Sequence, residues 1–354
     1  MKSLTNIART QLNNDKLMML LDTYEEKGRE FYYDMLFEKD ADIIFRNTIE
    51  EDFYHIGLFY KFDFTDHKLK QWSKKEFIAK NLEEEQFNNY KNIVRRIRKN
   101  SKRFELYSSQ VVDLSKIMAK NVRSITVNSV DAVVKDILNP NGKTRKTLFL
   151  DDLIALYEKE MRANNHETIA IIINFYIDFI NMDVFSYYNE EIGLMLLYAL
   201  LLKHFNVFKY VSFFKYLYQK QSVFNQAILE ANYNWSEGYS SNQRLYVLIL
   251  EILQEGYLEL KTLAHRYEFE RDLAKGDHVE GTILKGSEIF TKQDVREKNP
   301  LVSDSTIERV LRKLRDEGII RPLGTGRSAS WQLIKNNDEF KLTQLDLFTE
   351  TDFE

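Results

Sequence analysis

Residues 169–202 read IAIIINFYIDFINM, then DVFSYYNEE, then IGLMLLYALLL. The first run carries a single charge, Asp178, and the run Ile192–Leu202 carries none. Neither leaves a polar face at helical spacing, so both are expected as interior helices. The loop between them, Asp183–Glu191, contains no His, Lys, Arg, Cys or Gly. A short polar loop walled in by buried helices is where an α-helical protein would keep an active site. These residues therefore decide both the fold and the question of function.

Composition supports a mainly α protein. Only 3 prolines and 12 glycines occur in 354 residues, too few for the turns of a β-rich chain. Net charge is −4, so any nucleic-acid site must be a local patch. With no cysteine, disulfides, thiol nucleophiles and Cys-based metal sites are excluded. The opening MKSLTNIARTQLNND lacks the apolar core of a signal peptide, and the run Ile192–Leu202 is too short to span a bilayer. The expectation is a cytoplasmic protein with no membrane partner.

Working outward, Leu17–Phe37 predicts one or two amphipathic helices. DADIIFRNTIEEDFYHIG follows, with Ile43, Ile44, Phe45, Ile49 and Phe53 as its apolar set, and FYKFDFTDHKLKQW looks less regular. Asn81–Arg103 is a helix with an acidic start and a basic end, a polarity that suits the helix dipole. Its basic run (Lys91, Arg95, Arg96, Arg98, Lys99, Lys102, Arg103) reads either as a solvated face or as a phosphate-binding surface. A second helix, SSQVVDLSKIMAKNV, is expected to be capped by Ser108 or Ser109. NPNGKTRKT, residues 139–147, reads as a loop, and KGDHVEGTILKG, residues 275–286, as a linker or first turn. His55, His67, His166, His204, His265 and His278 show no metal-binding spacing, so no metal site is expected.

The stretch EIFTKQDVREKNPLVSDSTIERVLRKLRDEGIIRPLGTGRSASWQLI has its own grammar. A short helix stops at Pro300. A longer one starts with Ser305 and Glu308 as a capping box and ends at Gly318. Two strands, IIRPL and SWQLI, flank a turn rich in small residues. This order resembles the winged-helix family. Ile307, Val310, Leu311 and Leu314 would pack inward, leaving Thr306, Arg309, Arg312 and Lys313 outward, with Arg327 in the wing. In DNA-binding members of that family the outer face reads the major groove and the wing touches phosphate. Other members serve only as protein–protein modules, and Asp316 and Glu317 dilute the basic face.

Laid over the middle of the chain, the order and character of the segments resemble the Fic (filamentation induced by cAMP) family over roughly residues 30–335. Its members place HPFx(D/E)GNGRxxR between two buried helices of an all-α bundle. Here Asp183 takes the place of the histidine and Val184 that of the proline, while Phe185 matches. Tyr187 falls at the metal-binding acid. Tyr188 and Glu190 replace the glycines around Asn189, which matches, and Glu191 and Leu194 replace the arginines. The resemblance implies a nucleotide site whose chemistry has been removed. A carboxylate is a far weaker base than imidazole at neutral pH. Tyrosine and glutamate restrict the backbone that would cradle phosphates, and Glu190 and Glu191 repel them. The family's self-inhibitory helix has an echo in RNTIEED, with Glu50 as its glutamate; with Glu191 in place of the arginine the pairing would be repulsive, so the inhibitory salt bridge is not expected.

The tail KNNDEFKLTQLDLFTETDFE is acidic, and its composition predicts disorder. Within it Gln344, Leu345, Asp346, Leu347 and Phe348 form QLDLF, which resembles the peptide by which many bacterial proteins dock on the DNA polymerase sliding clamp.

These readings give a mainly α fold: a Fic-like helical bundle followed by a small winged-helix (α+β) domain. The expected divisions are an N-terminal helical region (1–80), a Fic-like core (81–274), the winged helix (275–335) and the acidic tail (336–354). The expected function is that of a Fic-like pseudoenzyme, a DNA-associated regulator or defence component with no cofactor. The alternatives are a divergent Fic nucleotidyltransferase using ATP and Mg²⁺ with Asp183 or a glutamate in a new role, and a non-catalytic antitoxin or scaffold that forms a homodimer.

Overall fold

In the computed structural model the described residues are 1–10, 13–99, 101, 104–131, 143–272, 275–324 and 330–334. The chain divides into two compact units, Met1–Ala264 and His265–Glu354.

The first unit opens with a 3-10 turn, Leu4–Arg9. It continues through α1 (Asn14–Gly28), α2 (Glu30–Leu36), α3 (Ala41–Phe59), α4 (Asp66–Lys74), α5 (Leu82–Lys99) and α6 (Ser108–Ala119). A two-stranded antiparallel ribbon follows, β1 (Ser129–Asp131) with β2 (Lys143–Arg145). Then come α7 (Thr147–Ala163), α8 (Thr168–Met182), α9 (Asn189–His204), α10 (Val207–Tyr210), α11 (Phe213–Gln219), α12 (Gln221–Asn232) and α13 (Gln243–Asp272). The dividing point between the units falls inside α13.

The two apolar runs are interior helices, as their composition requires. Every residue of α8 from Ile169 to Ile180 and of α9 from Ile192 to Leu202 is buried. Gly193 lets the two approach: a Cβ there would lie 2.5 Å from Ile180 Cγ2 and 3.2 Å from both Phe179 and Tyr176. The polar residues inside α8 are satisfied. Asp178 accepts the backbone N–H groups of Lys2, Ser3 and Leu4 and the indole N–H of Trp235. One turn earlier, Asn174 joins Ser3 and Asn242. Buried polar groups are tolerable only when paired in this way. The start of α8 is capped by Glu167, which accepts from Ile169 N at 2.8 Å and Ala170 N at 2.9 Å.

A second buried knot holds the outer helices to α9. Arg98 of α5 donates through Nη2 to Asp52 Oδ2 of α3 at 2.7 Å and through Nε to Tyr198 Oη of α9 at 2.7 Å. It also reaches the carbonyls of Phe208 and Lys209 on α10. Asp52 further accepts from Tyr198 Oη at 3.0 Å and Ser212 Oγ at 2.7 Å. The side chains of Arg98 and Asp52 are 7% and 0% exposed.

This corrects the reading of the α5 basic run as either a solvated face or a phosphate-binding surface. Arg98 is interior, and so is Lys91, whose ammonium donates to the carbonyls of Trp72 at 2.6 Å and Lys75 at 2.9 Å. Arg95 and Arg96 pair with Glu76 and Asp113. Lys99 stays exposed, and Lys102 and Arg103 lie outside the described residues. Three other expectations change. FTDHKLKQW contains α4, capped by Thr65. Neither Ser108 nor Ser109 caps α6; Tyr107 holds the cap position without a side-chain bond, while Ser108 Oγ donates to Asp151. Part of the expected 139–147 loop is β2, and residues 139–142 lie outside the described residues.

The second unit holds α14 (Lys275–Leu284), β3 (Ile289–Thr291), α15 (Lys292–Lys298), α16 (Asp304–Asp316), β4 (Ile320–Pro322) and β5 (Ser330–Leu333). The strands form an antiparallel sheet in the order β3-β5-β4. The segment expected as a linker is a helix because Val279 and Ile283, four residues apart, enter the core with Phe290, Val295 and Leu314. The cap of α16 is Ser303, which accepts from Thr306 N at 3.3 Å, and not Ser305 with Glu308. A full capping box occurs one helix earlier, between Thr291 and Asp294.

Together these elements make a helical bundle followed by a small α+β unit, the class expected from sequence. Among the described residues no helix is long and apolar enough to cross a membrane.

Candidate functional site

The Asp183–Glu191 loop joins the C-terminus of α8 to the N-terminus of α9. Its backbone turns through two left-handed residues, Asp183 at φ 52° and Tyr188 at φ 65°. Such a conformation costs a non-glycine residue roughly 1–2 kcal/mol. Tyr188 is held in it by its hydroxyl, which donates to Gln86 Oε1 at 2.8 Å, and by Arg123, 5.4 Å from its ring centroid. Tyrosine thus stands in a left-handed bend that glycine adopts more readily.

Asn189 organises the interior of the turn. Its Oδ1 accepts from Phe185 N at 2.9 Å, and its Nδ2 donates to Phe185 O at 2.6 Å and Asp183 Oδ1 at 2.9 Å. Val184 and Phe185 are buried beneath it. The outer edge is paired with the segment that leads into β1. Val127 bridges Phe185, Asn128 N donates to Val184 O at 2.9 Å and Ser186 N to Thr126 O at 3.0 Å. Asn128 Nδ2 and Lys146 Nζ both donate to Asp183 O, at 2.9 and 3.0 Å, and Lys146 also takes Met182 O at 2.8 Å. The last carbonyls of α8 are thus capped by side chains.

Asp183 itself is 67% exposed. Its oxygens meet Asn189 Nδ2 and, at 3.3 Å, Asn128 Nδ2, with Lys146 Nζ 3.7 Å away. Tyr187 is exposed, with the Arg123 guanidinium 4.5 Å from its ring centroid.

The first turn of α9 carries Glu190 and Glu191. Free N–H groups and the helix dipole make this end attractive to anions. Here the first turn holds the chain's own carboxylates, with Glu191 half-buried. Burial and the charge of Glu190 push the Glu191 carboxyl above the usual range, against the opposing pull of its backbone N–H and of Arg123. Tyr60 and Tyr90 stack at 4.5 Å close enough for the Glu191 charge to raise their hydroxyl pKa values further, beyond the larger effect of burial.

The charges that bear on Glu191 include Glu190 and Arg123, while Glu50 bears on the Lys91 ammonium. Arg123 was not singled out from sequence. Its tyrosine partners lie on another element, and nothing in NVRSITV marks it.

In the second unit, Ile307, Val310, Leu311 and Leu314 face inward as expected. Arg309 and Arg312 are exposed, and Thr306 is half-buried. Lys313 is tied to Glu280 at 2.9 Å. Lys292–Glu308 and Arg296–Asp304 pairs add to a surface of mixed sign. Arg327 and Gln344, Leu345, Asp346, Leu347 and Phe348 lie outside the described residues. No group of three or more His, Asp or Glu side chains able to hold a metal ion occurs among the described residues.

No family model matches this sequence, and no curated protein matches it. Solved structures do. One is a Fic family protein from Desulfovibrio desulfuricans G20, with a TM-score of 0.53 and 10% identity over 92% of this chain and 97% of that one. Another is a Fic domain containing signaling protein from Bacteroides thetaiotaomicron VPI-5482, with a TM-score of 0.48 and 14% identity over 70% of this chain and 97% of that one. At such identities the likeness speaks for architecture, and with the helix–loop–helix just described it assigns this chain the fold of a Fic family protein.

Proposed function

We propose that this protein is a Fic-fold pseudoenzyme that works by binding and not by nucleotide transfer. The observation that carries this reading is the filled turn. Where a phosphate would meet the N-terminus of α9, the first turn carries the Glu190 and Glu191 carboxylates, with Glu191 half-buried. Asn189 spends its amide on Phe185 and Asp183. ATP with Mg²⁺ does not fit this donor set. Arg123 bears on Glu191, its guanidinium is spread over two tyrosine rings, and the position of the metal-binding acid is Tyr187. Two carboxylates against a triphosphate raise its binding cost, and the Asp183 carboxylate at the histidine position is engaged by Asn189.

Binding would fall to the C-terminal unit, read as a winged helix that presents Thr306, Arg309, Arg312 and Lys313 to DNA, with Arg327 on phosphate. The QLDLF segment, Gln344–Phe348, would dock the protein on a sliding clamp. Together these make it a DNA-associated regulator or defence component.

A labelled-ATP transfer assay on the full chain tests the first part. No label should move to protein, with or without Asp183→Ala. Transfer that Asp183→Ala abolishes would overturn the reading. For the second part, the double variant Arg309→Glu/Arg312→Glu should abolish DNA retention at low salt and flatten its salt dependence. Unchanged retention would refute the DNA role. Alanine at Leu347 and Phe348 should abolish clamp pull-down.

A further inference from the structure

A cleft of about 750 Å³ opens in the first unit, toward the opposite end of α9 from the loop. This volume lies within the roughly 300–1,000 Å³ of small-molecule sites. One wall is a stripe of α3: Ala41, Phe45 and Ile49, spaced four apart and only partly buried. The neighbouring face of the same helix, with Ile44, Phe53 and Ile56, is fully in the core. Leu202 of α9 adds apolar surface. The α3 helix thus has more apolar face than the core consumes, and the surplus lines the cleft.

The end of α5 supplies the charge. Arg98 reaches the cleft while almost wholly buried. Of its five N–H donors, one each goes to Tyr198 Oη, Asp52 Oδ2, Phe208 O and Lys209 O. One Nη1 N–H remains without a partner among the described residues. Lys99 also lines the cleft, exposed and without an ion pair among the described residues. The two carboxylates of the lining differ. Asp34 already accepts from Tyr210 and Asn206 and lies 3.5 Å from Lys209 Nζ. Glu38 is exposed, where water and salt screen it.

We propose that this cleft binds a small amphiphilic anion. Its aromatic or acyl body would lie on Phe45, Ile49 and Leu202. Its carboxylate, sulfonate or phosphate would meet the remaining Arg98 N–H and the Lys99 ammonium. Apolar area supplies the affinity, and the fixed guanidinium and mobile ammonium select the charge. The site is separate from the Asp183–Glu191 loop and does not depend on what that loop does.

The test is a fluorescence titration of the full chain with 1-anilinonaphthalene-8-sulfonate. One saturable site per chain is expected. Lys99→Glu, a surface change that leaves the fold intact, should weaken it about tenfold. Ala41→Trp, which fills the cleft, should abolish it at an unchanged melting temperature. Octanoate and phenyl phosphate as competitors decide between an acyl and an aryl ligand; displacement by neither overturns the proposal. It is also overturned if the parent shows no saturable site, or if Lys99→Glu leaves binding unchanged. Equally tight binding of the neutral N-phenyl-1-naphthylamine refutes the anionic class.

Discussion

Helix α9 meets ionised groups at two levels, and the two are built differently. In its C-terminal half Tyr198 joins Arg98 and Asp52 in the interior, and both carboxylate oxygens of Asp52 have donors. At its N-terminus Glu191 is half-buried beside a like charge, and its nearby cation, Arg123, is exposed and stacked on tyrosines. The first arrangement is nearly closed: both Asp52 oxygens and four of the five Arg98 N–H groups are engaged. The second is an uneven balance at a helix end that attracts anions. Pairing from several helices in the interior marks a structural knot, whereas the helix terminus leaves its carboxylates only partly balanced.

The largest effect should come from breaking the closed end. Arg98→Met leaves Asp52 ionised and buried with its strongest donor gone, at a cost of about 3–5 kcal/mol by urea denaturation. Removing both charges in Arg98→Met/Asp52→Leu should recover much of that loss, because the penalty comes from the orphaned partner and not from the missing pair. If the single variant loses under about 1 kcal/mol, the knot is solvated and the contrast between the two levels collapses.

A smaller effect is expected at the helix contact beneath the loop. Gly193→Ala should gain up to about 1 kcal/mol of helix propensity. It places a methyl 2.5 Å from Ile180 Cγ2, with Phe179 and Tyr176 at 3.2 Å. Three packed side chains cannot all withdraw, so overpacking by about 1–3 kcal/mol prevails and the melting temperature falls. A rise in melting temperature would show that the contact between α8 and α9 is loose enough for the loop to remodel.

How much of this was legible in the sequence depends on the range of the interaction. The interior helices and their loop were legible because apolar runs without a polar face have one physical solution. The inward face of α16 was legible for the same reason, since Ile307, Val310, Leu311 and Leu314 repeat at helical spacing. What failed had its partner elsewhere. Lys91 and Arg98 read as surface charge because their acceptors, the Trp72 carbonyl and the Asp52 carboxylate, belong to other helices. Gly276, Gly281 and Gly286 made residues 275–286 look like a linker, yet burial of Val279 and Ile283 overrode that local preference. The left-handed Tyr188 was not legible either, because its bonds to Gln86 and Arg123 on other elements hold it there.

The smallest effect tests the open end directly. The carboxyl of Glu191 lies above its ordinary value of 4.5, mainly through burial. A carboxyl with a raised folded-state value binds protons more readily folded than unfolded in the window above 4.5. Stability therefore falls as pH rises through that window, and the cost of the ionised form remains at neutral pH. Glu191→Gln keeps the shape and removes the charge, so it should stabilise the protein at pH 7 by under about 1 kcal/mol. The gain should shrink as pH is lowered toward 4, where the parent's own carboxyl is protonated. Urea denaturation of both proteins across this range reads the difference. A variant that is less stable at pH 7 would mean that the carboxylate's hold on the N-terminus of α9 outweighs its burial, and that this end of α9 is as well balanced as the other.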